Sequence, residues 1–312
     1  MKLAFVFPGQ GSQSVGMMAG YDNLPVVRET FAEASDILTQ DFWAMISHGS
    51  AEDLNLTVNT QPLMLMAGVA VYRAWESLCD KKPSILAGHS LGEYTALVVS
   101  GALSFEDALS LVRYRAQIMQ EAVPEGIGAM AAILGMEDEM IASICQEVTA
   151  SNTQESVEPA NFNSPGQIVI AGHTNAVLKA IELAKGKGAK RAVMLPMSIP
   201  SHCRLMKPAA EKMRQQLAAT SLQSPTIPVL HNVDVKSHDD IDSIRDILAQ
   251  QLFNPVRWVD TIRQLAADGI THIVECGPGN ILTGLDKRID RSLQHLPLSN
   301  GEAVKEAVSV LR

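Results

Sequence analysis

The pentapeptide Gly88-His89-Ser90-Leu91-Gly92 fits the pattern G-x-S-x-G, in which the serine serves as a nucleophile. A short apolar run at 84–87 precedes it, and a helical pattern at 93–100 follows it. This strand, turn and helix form the context of a nucleophile elbow, where the start of the helix offers free backbone N–H groups. Ser90 is therefore predicted to be a catalytic nucleophile. The alternative is a turn in which the two glycines are only structural.

A serine nucleophile needs a general base, and eight histidines compete for that role. His202 is the preferred candidate, because it lies on a loop where the chain returns from its central region to the main domain, and such seams commonly bind ligands. His89 adjoins Ser90, but neighbouring residues on a sharp turn point in different directions. The other histidines, from His48 to His295, are interpreted as surface or core residues, which is also the alternative for His202.

The sequence gives little support to a metal site. No H-x-x-x-H or H-E-x-x-H motif is present. The segment from His231 to Asp240 is interpreted as a solvated polar loop. We therefore expect no metal ion.

Arg115 departs from the helical pattern of the segment 104–123. At about 100° per residue, the apolar residues of this segment occupy one arc and most of its polar side chains the opposite face. Arg115 falls inside the apolar arc, between Leu111 and Met119. A buried guanidinium must find an anion, because an unpaired buried charge is costly. The anion is either an internal Asp or Glu or the carboxylate of a substrate held by a bidentate fork.

The loop Gly9-Gln10-Gly11-Ser12-Gln13 also follows an apolar run, at 3–7. Ser14 stands where a dinucleotide-binding fingerprint needs a third glycine, and the Gly-Lys-Ser/Thr of a P-loop is absent. Two interpretations remain. The loop lies beside the elbow and offers a backbone N–H to an oxyanion, or it is a plain tight turn.

Composition indicates a globular enzyme. The chain has 312 residues, of which 46% are hydrophobic, and a net charge of −9, which argues against nucleic acid as a partner. No apolar run reaches the roughly 18 residues of a membrane helix, and the first residues do not resemble a secretory signal. We expect no membrane association and a cytoplasmic location. The four cysteines form no C-x-x-C pair and are interpreted as structural thiols.

Basic residues form two local groups within this acidic chain. The first contains Lys185, Lys187, Lys190 and Arg191, and the second contains Lys207, Lys212 and Arg214. Either group could meet an acidic partner or a phosphate. The alternative is ordinary solvated charge.

Apolar runs that alternate with helical patterns predict the α/β class. Buried parallel strands are expected at 3–7, 84–87 and 272–275. Together with the elbow, they predict an α/β-hydrolase-like catalytic domain with a parallel sheet, formed by residues 1–126 and 198–312.

The central part of the chain has a different order, β-α-β-β-α-β, which is that of the ferredoxin-like unit. We therefore predict a small inserted ferredoxin-like domain at residues 127–197. Its elements are expected at 129–134, 137–149, 157–163, 167–171, 175–185 and 191–195.

Five motifs, in the same order along the chain, resemble those of the malonyl-CoA:acyl carrier protein transacylases, an acyltransferase family of fatty acid and polyketide synthesis. The motifs are Phe7-Pro8-Gly9-Gln10-Gly11-Ser12-Gln13, Gly88-His89-Ser90-Leu91-Gly92-Glu93-Tyr94, Asn161-Phe162-Asn163-Ser164-Pro165-Gly166-Gln167, Pro200-Ser201-His202 and Asn254-Pro255-Val256-Arg257-Trp258. The resemblance implies a ping-pong transfer of malonyl from malonyl-CoA to the phosphopantetheine thiol of acyl carrier protein. This reaction supplies extender units for fatty acid biosynthesis.

The resemblance also implies how the reaction is catalysed. Ser90 attacks the thioester to form a malonyl-serine, and His202 is the general base. A backbone carbonyl near Gln251 orients the imidazole in place of a carboxylate.

The same resemblance assigns the residues that bind the acyl group. The backbone N–H groups of Gln10 and Leu91 form the oxyanion hole. Arg115 binds the malonyl carboxylate. Gln61 matches a position that lines the site, although a structural hydrogen bond is an equally good explanation. No cofactor is implied, and the partners are malonyl-CoA and acyl carrier protein.

Two other functions compete with this one. A serine thioesterase or esterase would resolve the same acyl-enzyme with water, but it has no need of a buried cation such as Arg115. A carrier-docking module without catalysis would not need Ser90, His202 and Arg115 together.

Overall fold

The computed structural model describes residues 1–197 and 199–311. The strands are β1 (Leu3–Phe7), β2 (Ile85–Gly88), β3 (Gly128–Leu134), β4 (Val157–Ser164), β5 (Gln167–His173), β6 (Arg191–Met194), β7 (Val229–Leu230), β8 (His272–Glu275) and β9 (Gln294–Pro297). They form a parallel sheet in the order β7-β2-β1-β8-β9 and an antiparallel sheet in the order β4-β5-β3-β6.

Helices surround both sheets. They are α1 (Pro25–Leu38), α2 (Phe42–His48), α3 (Ala51–Asn55), α4 (Thr57–Glu76), α5 (Gly92–Val99), α6 (Phe105–Glu121), α7 (Asp138–Ser151), α8 (Thr174–Gly186), α9 (Lys207–Ala219), α10 (Ile241–Gln251), α11 (Trp258–Ala267), α12 (Ile281–Ile289) and α13 (Gly301–Leu311). Short 3₁₀ turns lie at Ala19–Tyr21 and Arg204–Met206.

Strand β1 is the middle strand of the parallel sheet and is buried on both faces. Phe5 and Phe7 belong to the larger core, which contains residues of α1, α4 and α6. Ala4 and Val6 point to the other face and pack in a second core with α11 and α12. Because helices cover both faces, the strand has an uninterrupted apolar sequence, as the sequence predicts.

The antiparallel sheet is formed by the central part of the chain, and α7 and α8 pack with it in a separate core. The predicted β-α-β-β-α-β order is confirmed, and each predicted end lies within two residues of the observed one. The domain limits at residues 127 and 197 stay a prediction.

Strand β4, at the edge of the antiparallel sheet, joins the two parts of the fold. The backbone N–H of Phe162 donates to the carbonyl oxygen of Val256 at 2.9 Å. The backbone N–H of Val256 donates to the carbonyl oxygen of Ala160, also at 2.9 Å. Glu158 on β4 also forms an ion pair with Arg204. The bonds at Val256 hold β4 to the segment before α11, and the ion pair holds β4 to the loop that carries His202.

Candidate active site

Ser90 lies in the turn between β2 and α5. Its φ is +52°, a left-handed conformation that few residues other than glycine adopt. A Cβ atom at Gly88 would lie 1.9 Å from the carbonyl carbon of Gly92, and one at Gly92 would lie 2.0 Å from the carbonyl oxygen of Phe7. Both glycines of the motif are therefore required by the turn. The structure has the strand, turn and helix that the sequence predicts around Ser90.

His202 lies beside the serine, with its Nε2 atom 2.8 Å from Ser90 Oγ. Its Nδ1 atom is 2.8 Å from the carbonyl oxygen of Gln251. Because a carbonyl oxygen can only accept, Nδ1 carries the proton and Nε2 is free to accept the proton of the serine hydroxyl. The backbone N–H of His202 also donates to the carbonyl oxygen of Leu252, at 2.9 Å. The C-terminal end of α10 thus holds the imidazole by its ring and by its backbone.

Burial, followed by the positive charge of Arg115, lowers the pKa of His202 to about 3, and the hydrogen bond to the Gln251 carbonyl opposes this shift. The imidazole is therefore neutral at pH 7. A neutral imidazole is the form that a general base requires.

Arg115 is buried on α6, as the sequence predicts, with a relative exposure of 1%. Nη1 donates to Gln61 Oε1 at 2.8 Å, and Nη2 donates to Gln251 Oε1 at 3.0 Å. Nη2 also lies 3.4 Å from Ser90 Oγ. Across residues 1–197 and 199–311, Nε has no hydrogen-bond partner and no carboxylate lies within ion-pair distance of the guanidinium. An internal salt bridge, one of the two alternatives from the sequence, is therefore wrong for this arrangement.

The predicted oxyanion donors lie where the N-terminal loop meets the elbow. His89 N–H donates to the carbonyl oxygen of Phe7 at 2.9 Å, and a Cβ at Gly9 would lie 3.6 Å from the backbone nitrogen of Leu91. In the part of the chain that the structure describes, the backbone N–H groups of Gln10 and Leu91 have no acceptor. Both groups are thus available to an oxygen atom of a substrate.

Gln61 lies on α4 and is buried. Its Oε1 atom accepts from Arg115, and its Nε2 atom lies 3.8 Å from the sulfur of Met119. The structural hydrogen bond and the site-lining position that the sequence left open are thus one arrangement.

A buried polar network beneath the elbow was not evident from the sequence. Glu93, which is fully buried, accepts from His231 Nδ1 at 2.7 Å, from Asn232 N–H at 2.9 Å and from Gln251 Nε2 at 2.9 Å. The solvated interpretation of the segment that begins at His231 is therefore wrong for His231, which has 0% exposure. His231 and Asn232, which the sequence analysis missed, follow β7 at the carboxyl edge of the parallel sheet. This position is the signal that could have identified them.

Asn232 supports the strained turn on both sides of the nucleophile. Its Oδ1 atom accepts the backbone N–H of Ser90 at 2.7 Å, and its Nδ2 atom donates to the carbonyl oxygen of Gly88 at 2.6 Å. These two bonds satisfy backbone groups that the turn leaves without a partner in the helix or the sheet.

His89 does not contact the serine hydroxyl, as its place on the turn predicts. Its Nε2 atom lies 2.8 Å from Oδ1 of Asn163, at the end of β4. His89 therefore links the elbow to the antiparallel sheet.

Comparison with known proteins agrees with this geometry. The acyl transferase domain family matches residues 4–300, a span that contains the whole site. A malonyl CoA-acyl carrier protein transacylase of Escherichia coli K12 is 52% identical over 310 residues, 99% of each chain. The chain belongs to this transacylase family. The corresponding protein of Bacillus subtilis is 44% identical over 100% of this chain and 98% of its own length.

Solved structures of transacylases share the fold. The malonyl CoA-acyl carrier protein transacylase of Coxiella burnetii has a TM-score of 0.96 at 50% identity and covers 99% of this chain and 97% of its own. A malonyl-transacylase in complex with a type II PKS acyl-carrier protein has a TM-score of 0.97 at 47% identity. The match covers 99% of this chain and 100% of that transacylase. The family resemblance predicted from five motifs is thus confirmed. Among the helices that the structure describes in this transacylase, none is long and apolar enough to cross a membrane.

Proposed function

We propose that the chain transfers a malonyl group from malonyl-CoA to the phosphopantetheine thiol of an acyl carrier protein, through a malonyl-serine intermediate. The observation that carries the proposal is the guanidinium of Arg115, which is buried beside Ser90 and has no carboxylate partner within residues 1–197 and 199–311. Nε and Nη2 lie along one edge of a guanidinium, and two parallel hydrogen bonds from this edge match a carboxylate. The malonyl carboxylate is one methylene from the thioester carbonyl, so it reaches Arg115 while that carbonyl lies at Ser90.

The first half-reaction acylates the serine. His202 Nε2 takes the hydroxyl proton as Ser90 Oγ attacks the thioester carbonyl carbon, and the new oxyanion accepts from the N–H groups of Gln10 and Leu91. Collapse of this intermediate breaks the C–S bond, and His202 returns the proton to the sulfur of coenzyme A. The product of this step is a malonyl ester on Ser90.

The second half-reaction follows the same path in reverse with a different thiol. His202 removes the proton of the carrier's phosphopantetheine thiol, whose sulfur attacks the ester carbonyl. The C–O bond to Ser90 breaks, and the proton passes to the serine oxygen. The backbone carbonyl of Gln251 keeps the proton of the neutral imidazole on Nδ1 throughout both steps.

The carrier partner is proposed to meet the first basic group. Acyl carrier proteins of this family type are acidic, and Lys190 and Arg191 are exposed at the start of β6. Within the described part of the chain neither forms an ion pair, although Lys187 of the same group is paired with Glu147. In the second group Arg214 is paired with Glu211 and Asp246 and Lys212 with Glu121, which leaves Lys207 as its unpaired member among the described residues. The unpaired cations of the first group are therefore better suited to an acidic partner.

The metabolic setting is proposed to be fatty acid biosynthesis in the cytoplasm. Support comes from the names of the relatives, which describe transacylases acting on acyl carrier protein. One structural neighbour was solved with a polyketide carrier, so a polyketide carrier is the second candidate partner.

The intact mass of the protein after mixing with malonyl-CoA tests the proposed function. A malonyl adduct that persists without a carrier and disappears when holo carrier protein is added is expected. Rapid release of free malonate without a carrier would instead support a thioesterase. Carrier binding without any adduct would support a docking module.

A further inference from the structure

Arg115 and Glu93 are a buried cation and a buried anion that do not touch each other. The amide of Gln251 lies between them, with Oε1 3.0 Å from Arg115 Nη2 and Nε2 2.9 Å from Glu93 Oε2. All three side chains have relative exposures of 1% or less. The two charges therefore compensate each other across one amide group, in an environment where solvent contributes little.

Glu93 determines which way this amide faces. A carboxylate can only accept, so it requires the NH₂ group of Gln251 on its own side. That NH₂ group also donates to the carbonyl oxygen of Ser90, at 3.0 Å. The remaining atom of the amide, its oxygen, must then face Arg115, and its dipole is oriented favourably toward both charges.

A direct ion pair would serve the site less well. A carboxylate in contact with Arg115 would occupy the donors that a substrate carboxylate needs. With the amide in between, Arg115 keeps Nε unpaired within the described residues and uses Nη2 for only one strong hydrogen bond. The guanidinium is thus neutralised at a distance, and its edge formed by Nε and Nη2, which lies 3.4 Å from Ser90 Oγ, carries no carboxylate among the described residues.

We propose that Glu93 is a positioning residue for acyl-group specificity, which acts through the Gln251 amide to orient Arg115 and to leave its free edge for the substrate carboxylate. This inference rests on the proposed malonyl transfer. It gives Gln251 two separate functions, since its backbone carbonyl holds His202 and its side chain holds Arg115.

Glu93→Gln tests this role, because it removes the charge while preserving the size of the side chain. We expect kcat/KM for malonyl transfer to fall about ten- to a hundredfold, in the upper part of the range for residues coupled within one hydrogen-bond network. Acetyl transfer should fall by less than about threefold, because an acetyl group makes no use of Arg115. An unchanged malonyl-to-acetyl ratio would overturn the proposal.

A double-mutant cycle with Arg115→Ala separates positioning from general support. If Glu93 acts through Arg115, Glu93→Gln should cause no further loss of malonyl transfer in the Arg115→Ala background. A structural role would lower the activity by the same factor in both backgrounds and would refute the inference. Should Glu93→Gln not fold, Gln251→Met takes its place, because it removes the amide and keeps the backbone carbonyl at His202.

Exchanging the two side chains, in Glu93→Gln with Gln251→Glu, gives the sharpest test. The buried charge is conserved, but the carboxylate now contacts Arg115 directly and occupies its donors. This variant should fold and lose the preference for malonyl over acetyl. If it keeps that preference, the spacer role of Gln251 is wrong.

Glu275→Gln is the matched control, since Glu275 is a buried carboxylate that accepts from the backbone of Leu282 and Thr283, away from Arg115. It should leave the malonyl-to-acetyl ratio unchanged, and a shift as large as that of Glu93→Gln would count against a specific role for Glu93. Failure of the wild-type protein to form a malonyl adduct would contradict the proposed function itself. A wild-type protein that transfers malonyl, with a Glu93→Gln variant of unchanged ratio, would overturn only the role of Glu93.

Discussion

Removing the side chain of Arg115 tests how the site selects its acyl group. Among the described residues this guanidinium donates to the amide oxygens of Gln61 and Gln251 and, at 3.4 Å, to the hydroxyl of Ser90. Arg115→Ala removes the proposed partner of the malonyl carboxylate while leaving Ser90 and His202, the proposed nucleophile and base, in place. We therefore expect a change in specificity and a smaller change in the chemistry common to all acyl groups.

The magnitude follows from the burial of the site. Leaving one member of a buried charge pair without its partner costs about 2–5 kcal/mol. At about 1.4 kcal/mol for each tenfold change, kcat/KM for malonyl transfer should fall by roughly 30- to 5,000-fold. Acetyl transfer involves no carboxylate and escapes this penalty. With 1% exposure, the guanidinium of Arg115 has lost most of its hydration before the substrate arrives, and this burial also lowers its pKa.

The assay compares transfer from malonyl-CoA and acetyl-CoA to one carrier protein, with circular dichroism as the check on folding. Arg115→Lys should also lose malonyl transfer, because an ammonium group cannot form the bidentate fork. Arg113→Ala is the matched control, since Arg113 lies on the same helix and donates to Leu38 and Gln40 away from the site. If malonyl and acetyl transfer fall by the same factor in a folded Arg115→Ala variant, the carboxylate clamp is wrong.

The remaining predictions concern the nucleophile, the base, the carrier and the turn. Ser90→Ala should form no malonyl adduct in an intact mass spectrum, and labelling at the normal rate would exclude Ser90 as the nucleophile. His202→Ala should slow acylation by about 10²–10⁴. Because the pKa of His202 is lowered to about 3, this base stays neutral as the pH falls from 7 to 5. The kcat/KM for acylation should therefore not decline over this range through protonation of His202. A decline centred near the ordinary imidazole pKa of about 6.5 would contradict the burial argument. The double variant Lys190→Glu with Arg191→Glu should raise the KM for the carrier at low salt, and this increase should become smaller as salt is added. Unchanged carrier kinetics would place the docking surface elsewhere. Gly88→Ala should yield little folded protein, since its Cβ would lie 1.9 Å from a backbone carbon, and a variant that melts at the wild-type temperature would refute the tight turn.

The sequence predicted features that depend on local periodicity. The apolar arc of α6 identified Arg115 as a buried cation, and the order of elements identified the ferredoxin-like fold of the antiparallel sheet. Both predictions succeed because burial imposes a repeat of 3.6 residues on helices and a characteristic apolar run or alternation on strands.

The buried network around Glu93 could not be predicted in this way. Its members come from α5, from the loop after β7 and from the end of α10, so only the folded chain brings them together. His231 shows the limit most clearly. Its polar neighbours in sequence suggested a solvated loop, whereas its imidazole is completely buried and its Nδ1 atom is hydrogen-bonded to Glu93, 138 residues away.

The carbonyl of Gln251 in place of a carboxylate suits a site that transfers acyl groups to thiols. A carbonyl at the end of a helix stabilises an imidazolium less than a full negative charge does, so His202 is a weak base. A thiol with a pKa of about 8.5 loses its proton to such a base far more easily than water, whose pKa is about 15.7. In the proposed mechanism a weak base therefore favours attack on the malonyl-serine by the carrier thiol over attack by water. In this proposal, selection of the acyl group by Arg115 and selection of the acceptor by His202 thus both depend on how Gln251 is held.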